Sequence, residues 1–217
     1  MHLIIVGAGR TGKPVIESAI KDGHEVVVIE NDKELAEKVA TTFDCLVINA
    51  DASSLDTLKE AGAEEADSLI ATTNDDSVNL LVIMLGRELG IKKLVSSVTN
   101  EDHIKLFKEL GVNTVESPFR LNGQFLYRAA QTSSIKDFMD LGDGVEIVEF
   151  VVHEKAPAAG VAIKDTSLPR ESRVVAIKRD NKMIIPQGST VILAGDVALV
   201  LTMRGFLQTL IKIYGEY

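Results

Sequence analysis

The most constraining feature lies at the amino end. There Leu3-Ile4-Ile5-Val6 runs directly into Gly7-Ala8-Gly9-Arg10-Thr11-Gly12, a β-branched strand that turns through three spaced glycines into a helical stretch. In that setting the first glycine makes the tight turn, the second lets the backbone approach a diphosphate, and the third lets helix and sheet pack closely. The helix N-terminus adds free amides and a partial positive charge. Three glycines alone are a weak signal, but Glu30 closes the second β-branched run at the distance such loops need for an acidic partner. Its carboxylate is suited to accept from ribose hydroxyls and to repel a 2′-phosphate, favouring NAD or adenosine nucleotides over NADP. The bland alternative is a glycine-rich turn that binds nothing.

The pattern continues as strand and helix in alternation. Glu25–Ile29, Leu46–Ile48, Ser68–Ala71, Leu94–Val98 and Thr114-Val115 read as strands. A helical segment ending at Asp22-Gly23-His24 comes first, with helices expected near Glu34–Thr42, Ser54–Ala61, Ser77–Leu89 and Glu101–Leu110. Apolar strands bounded by helices are buried on both faces, which predicts a Rossmann-like, doubly wound parallel α/β sheet. After Pro118 a helix from Phe119 to about Ser133 carries Phe125, Leu126 and Ala129 on one stripe and has no strand evident after it. Asp140–Gly144 reads as a connector. Beyond it the period shortens: Val145–Val152, Arg173–Lys178, Lys182–Ile185, Thr190–Leu193 and Val197–Thr202 read as strands between turns, with a final helix near Gly205–Tyr214. The expected organisation is a nucleotide-binding domain over residues 1–134 and a second, smaller α+β domain over residues 142–217.

Charge supports that division. Residues 1–134 hold 21 acidic against 13 basic groups, and the remainder 11 against 10. The net charge of −9 disfavours a nucleic-acid partner held by phosphate contacts. A single cysteine, Cys45, excludes an internal disulfide, fits a reducing compartment and reads as core packing. No apolar run reaches the ~18 residues of a spanning helix, and the amino end enters a strand with no basic leader. A cytoplasmic protein is expected, with any membrane supplied by another chain.

Asn49-Ala50-Asp51-Ala52 and Thr72-Thr73-Asn74-Asp75-Asp76 follow the third and fourth strands. Both fall at carboxyl ends of strands, where open α/β sheets bind ligands. Asp51 and Ala52 are candidates to edge an adenine, and Thr73 and Asn74 to face ribose or phosphate; helix capping is the competing role for Asp75 and Asp76. A hydride-transfer enzyme needs a proton donor or acceptor beside the nicotinamide. No Tyr-x-x-x-Lys occurs, and His2, His24, His103 and His153 are scattered, with His24 and His103 expected at the surface. A nucleotide site without such equipment points to sensing, in which a ligand favours one of two conformations.

In order and spacing, Gly7–Gly12, Val28-Ile29-Glu30-Asn31-Asp32, Asn49–Ala52 and Thr72–Asp76 with Asn79 resemble the nucleotide-binding half of Trk/Ktr potassium-uptake regulators, also called RCK domains. Ala159-Gly160, Leu168-Pro169, Ile177-Lys178-Arg179, Pro186-x-Gly188 and Gly195-Asp196 are similar to the family's carboxyl-terminal subdomain. The resemblance implies a non-enzymatic cytoplasmic subunit that binds NAD(H), AMP, ADP or ATP. It implies a homodimer, assembled into a tetrameric or octameric ring beneath a membrane potassium transporter or channel. The implied nucleotide-binding positions are Gly7, Ala8, Gly9, Arg10, Thr11, Gly12, Glu30, Asn31, Asp51, Ala52, Thr73, Asn74 and Val98, with no metal ligands. The Phe119–Ser133 helix matches the family's crossover helix, which packs against the partner subunit, and Arg10 its phosphate-reaching arginine.

Two positions depart from the family pattern. Ser97 stands where many members carry Arg or Lys, and Phe119 where some carry a divalent-ion carboxylate. Both weaken a case for ATP with a metal and leave NAD(H), ADP or AMP more open. The competing readings are an NAD-dependent oxidoreductase and a stand-alone small-molecule sensor unconnected with potassium. Lys178 and Arg179 are candidates for an anion contact, against a solvated hairpin edge.

Overall fold

The structure, a computed structural model, describes residues 1–131 and 133–215. Position 132, within the expected helix end, and positions 216 and 217 lie outside the described residues. Two compact units divide the chain after Leu121.

The first unit is a six-stranded sheet of β1 (His2–Val6), β2 (Glu25–Glu30), β3 (Leu46–Asn49), β4 (Ser68–Ala71), β5 (Lys93–Ser97) and β6 (Thr114–Glu116). All neighbours pair in parallel, in the order β3-β2-β1-β4-β5-β6. Alternating side chains of each strand feed opposite faces. Leu3, Ile5, Val26 and Val28 pack on one side with Ile16 and Ala19 of α1 (Gly12–Lys21) and Val39 of α2 (Lys33–Thr42). Ile4, Val6, Val27, Ile29 and Leu69 pack on the other, with Leu58 of α3 (Leu55–Glu60), Val82 and Ile83 of α4 (Asp76–Glu88), and Phe107 of α5 (His103–Glu109). Each fully buried Ile or Leu here contributes roughly 1.5–3 kcal/mol relative to exposure. The strand order reverses between β1 and β4, so α1 and α4 leave the sheet in opposite directions and a crevice opens at the strands' carboxyl ends.

The boundary between units falls within α6 (Pro118–Gln131). Leu126 and Tyr127 on this helix are each 67% exposed.

The second unit is a five-stranded antiparallel sheet of β7 (Ile135–Gly142), β8 (Val145–Val151), β9 (Arg173–Arg179), β10 (Lys182–Ile184) and β11 (Val197–Met203), ordered β10-β9-β11-β8-β7. Helix α7 (Leu207–Tyr214) covers its core, where Tyr214 stacks on Phe150 at 5.2 Å between ring centroids. Burial pushes the Tyr214 hydroxyl's pKa upward.

Three expectations need correction here. A strand, β7, does follow α6, but it joins the antiparallel sheet; its polar residues Lys136, Asp137 and Asp140 interrupt the sequence and hide it from an apolar-run reading. Asp140–Gly144 is the end of that strand and its hairpin turn, with Asp143 and Gly144 at positive φ. Thr190–Leu193 is not a strand; Val191 makes only an isolated bridge to Ala162. The Asp180-Asn181 turn does form, both residues at positive φ (49° and 61°), as a tight hairpin requires.

Candidate functional site

The crevice holds a cavity of about 520 Å³, within the range of small-molecule sites. Its floor is the loop between β1 and α1. Gly7 has φ +89°, open to glycine at little strain, and a Cβ there would press to 3.0 Å on the Thr73 amide nitrogen. A Cβ on Gly12 would collide with the Gly7 carbonyl oxygen, so the first turn of α1 lies directly against the loop it closes. Gly9 has open space where a Cβ would be. Thr11, at the N-cap of α1, makes no side-chain capping bond, so its side chain satisfies none of the first-turn amides.

Glu30 ties the loop to β2. The carboxylate is 7% exposed; Oε2 accepts from the Ala8 amide at 2.7 Å and Oε1 from the Asp32 amide at 2.9 Å. A carboxylate has about four acceptor positions, so two amide bonds leave capacity for ribose hydroxyls. Asn49 braces the same corner, its Nδ2 donating to the Glu30 and Asn31 carbonyls at 2.8 and 3.1 Å.

The opposite wall is the turn after β4. Thr72 Oγ1 donates to the Val6 and Gly7 carbonyls. Asn79, fully buried, accepts from the Thr73 amide (3.0 Å) and hydroxyl (2.7 Å) and donates to the Thr73 and Ser97 carbonyls (3.0 and 3.2 Å). Asp75 caps α4 through the Ser77 and Val78 amides. Asp76 turns away from the cavity to accept from Thr99, Asn100 and His103. Burial would raise its pKa, but those donors outweigh burial and hold the carboxyl below its ordinary value.

Of the expected residues, Gly7, Gly9, Glu30, Asn31, Asp51, Ala52, Thr73 and Asn74 line the cavity together. Ala8, Arg10, Thr11, Gly12 and Val98 do not. Ala8 contributes its amide, Arg10 is exposed, and Val98 is a core residue at 1% exposure. Asp51 is exposed and accepts from the Ser53 amide at 2.8 Å, which lowers its pKa. Leu35 and Val78, apolar lining residues on opposite walls, escaped the sequence reading. Their signal was available: each lies three residues past a helix-capping aspartate, Asp32 or Asp75, in the first turn at the cavity mouth. His103, expected as a surface residue, is partly exposed but bonded to Asp76. Arg179, a candidate anion contact, is bidentate on buried Asp196 at 2.7 Å and also donates to the Val191 carbonyl.

These features define a class: a glycine-loop nucleotide-binding fold followed in the chain by a small antiparallel module. The chain belongs to the TrkA family, matching the TrkA-N domain over residues 3–118 and the TrkA-C domain over residues 147–215. A Trk system potassium uptake protein TrkA homolog of Methanothermobacter thermautotrophicus is 34% identical over 202 residues, 93% of each chain. Another, of Pyrococcus abyssi, is 30% identical over 220 residues, 98% of this chain and 97% of that one. Among solved structures, the GsuK channel superposes with a TM-score of 0.72 at 20% identity over 99% of this chain. This chain spans 39% of the GsuK chain. A GsuK channel bound to NAD gives 0.71 at the same identity. No helix among the described residues is long and apolar enough to cross a membrane.

Proposed function

We propose that this chain is the nucleotide-responsive regulatory subunit of a potassium transport system, acting on the cytoplasmic side through a membrane transporter or channel subunit. The observation that carries the reading is the join between Glu30 and the Ala8 amide, a buried ribose acceptor fastened to the phosphate loop across an open cavity. Leu35, Ala52 and Val78 suit an adenine face, Glu30 the ribose, and the amino end of α1 the phosphates, so the residues fit an adenine nucleotide (NAD(H), AMP, ADP or ATP). The relatives named as Trk uptake proteins supply the potassium link, and the NAD-bound GsuK channel shares the fold.

The site acts by binding, not by catalysis. Its polar side chains are carboxylates, amides and threonine hydroxyls, a set suited to hydrogen bonding rather than to proton shuttling at neutral pH. A ligand that favours one loop geometry shifts the protein between states by its differential affinity. Residues 1–134 with α6 form the nucleotide domain in this reading, and residues 142–217 the carboxyl-terminal domain. In this reading α6, whose Phe119, Leu126 and Tyr127 are exposed, supplies the dimer contact of a tetrameric or octameric ring. Calorimetry with NADH, ADP, AMP and ATP, with and without the transporter subunit, tests the reading. Affinity that shifts with the partner supports it, and affinity indifferent to the partner overturns the coupling.

A further inference from the structure

We infer that the second unit carries a site of its own, between α6 and the start of α7, for a small oxyanion: a phosphate or carboxylate group on a compact molecule. The inference does not rest on the nucleotide-binding reading above. A cavity of about 310 Å³ opens there, at the small end of the range for small-molecule sites. Gln124, Tyr127 and Arg128 of α6 line it together with Arg204, Leu207 and Gln208, all within the second unit. Two guanidiniums, two carboxamides and a phenol thus share one hollow, and no Asp or Glu among the described residues joins them on its wall.

Both arginines are held by acids that do not line the cavity. Arg128 Nη2 donates to Glu146 Oε2 at 2.5 Å, and Arg204 Nη2 to Asp140 Oδ2 at 2.6 Å. The Arg128 guanidinium also lies over the Phe138 ring, 4.0 Å from its centroid, so two contacts fix its position before any ligand arrives. Its side chain is only 9% exposed, yet Nη1 is buried with no hydrogen-bond partner among the described residues. Glu146 Oε1 is unpartnered as well, so the pair meets along one edge and its fork stays open. A buried charged donor left unmade is costly. An arginine fork matches two oxygens of one oxyanion, and this one belongs to a side chain on the cavity wall.

The first turn of α7 adds to the site. Leu207 and Gln208 stand at its amino end, where the N-cap residue, Phe206, gives no side-chain capping bond. Helix amino ends favour negative charge. The charges of Arg128, Arg204, Glu146 and Asp140 balance one another. Recognition therefore falls to directed donors at fixed positions, not to a net positive field.

Calorimetric titration of the full chain, in low-salt buffer, with inorganic phosphate and with succinate tests the site. At least one is expected to bind, and which one binds names the group recognised. Gln208→Glu puts an acid on the cavity wall at a helix position where acids favour the fold. It is expected to melt no lower than the wild type while weakening the oxyanion at least about tenfold. Arg204→Gln, at a half-exposed position, is expected to weaken it severalfold. Gly9→Val, altered in the other unit, is expected to leave it unchanged. Binding of neither probe, or binding indifferent to Gln208→Glu, overturns the site. Binding lost with Gly9→Val also overturns it, by placing the ion on the glycine loop instead.

Discussion

Asp76 Oδ2 stands 2.7 Å from His103 Nδ1, joining the first residue of α4 to the first residue of α5. The same carboxylate accepts from the Thr99 and Asn100 amides at 2.7 and 3.1 Å, so one buried side chain holds the whole turn between β5 and α5. Asp76→Ala strands those amides and is expected to destabilise the fold by about 3 kcal/mol, read by urea denaturation. His103→Gln touches the 43%-exposed partner and is expected to cost less than about 1 kcal/mol. Equal losses would mean that the histidine, not the amides, holds the turn.

Gly12 and Gly9 separate folding from binding. Gly12→Ala drives a Cβ into the Gly7 carbonyl oxygen and is expected to lose about 1–3 kcal/mol of stability, measured by thermal melting. Gly9→Val enters open space and is expected to leave the melting temperature within a few degrees while abolishing nucleotide heat in calorimetry. A Gly9 variant that binds normally would remove the loop from the site.

Glu30 sets the ribose preference. The wild type is expected to bind NADH at least about tenfold tighter than NADPH, because a 2′-phosphate would face a buried carboxylate. Glu30→Gln, which removes the charge and keeps an acceptor for the Ala8 amide, is expected to narrow that ratio. Competition between the two dinucleotides in one titration gives the answer directly.

Acid is expected to loosen both units. Burial would raise the Asp196 pKa, but the Arg179 guanidinium and the Leu193 amide outweigh it and hold the carboxyl below its ordinary value, as the donors around Asp76 do there. A carboxyl with a lowered native pKa contributes stability that is complete above its unfolded value, near about pH 3.9, and is lost as pH falls through the native value. Stability should hold from neutrality to mildly acidic pH and fall below about pH 4. Asp196→Asn should flatten that fall, while leaving the Arg179 head with a weaker partner.

The inner strands of the parallel sheet were legible because they are buried on both sides and spell themselves as unbroken apolar runs, Leu3–Val6 and Val26–Ile29 above all. Strand β7 was illegible for the opposite reason: its buried face is sparse, its pattern is broken by register shifts, and Met139 and Leu141 are exposed. Thr190–Leu193 misled because buried Ile192 answers to a local core contact, without a ladder. In the site, the glycines and Glu30 carried their own signal through spacing. Val98, a position implied by the family resemblance, does not line the cavity, because its side chain packs into the core beneath the sheet's end. Leu35 and Val78 passed as ordinary helix residues until the capping aspartates before them placed them at the mouth.

The crevice between β1 and β4 exists because the chain departs to either side of it and no connection bridges the gap. Its opening is a property of winding, independent of which side chains happen to face inward. Descendants of such a chain can exchange the residues around the mouth, and with them the molecule detected, without having to re-invent a hollow to hold it.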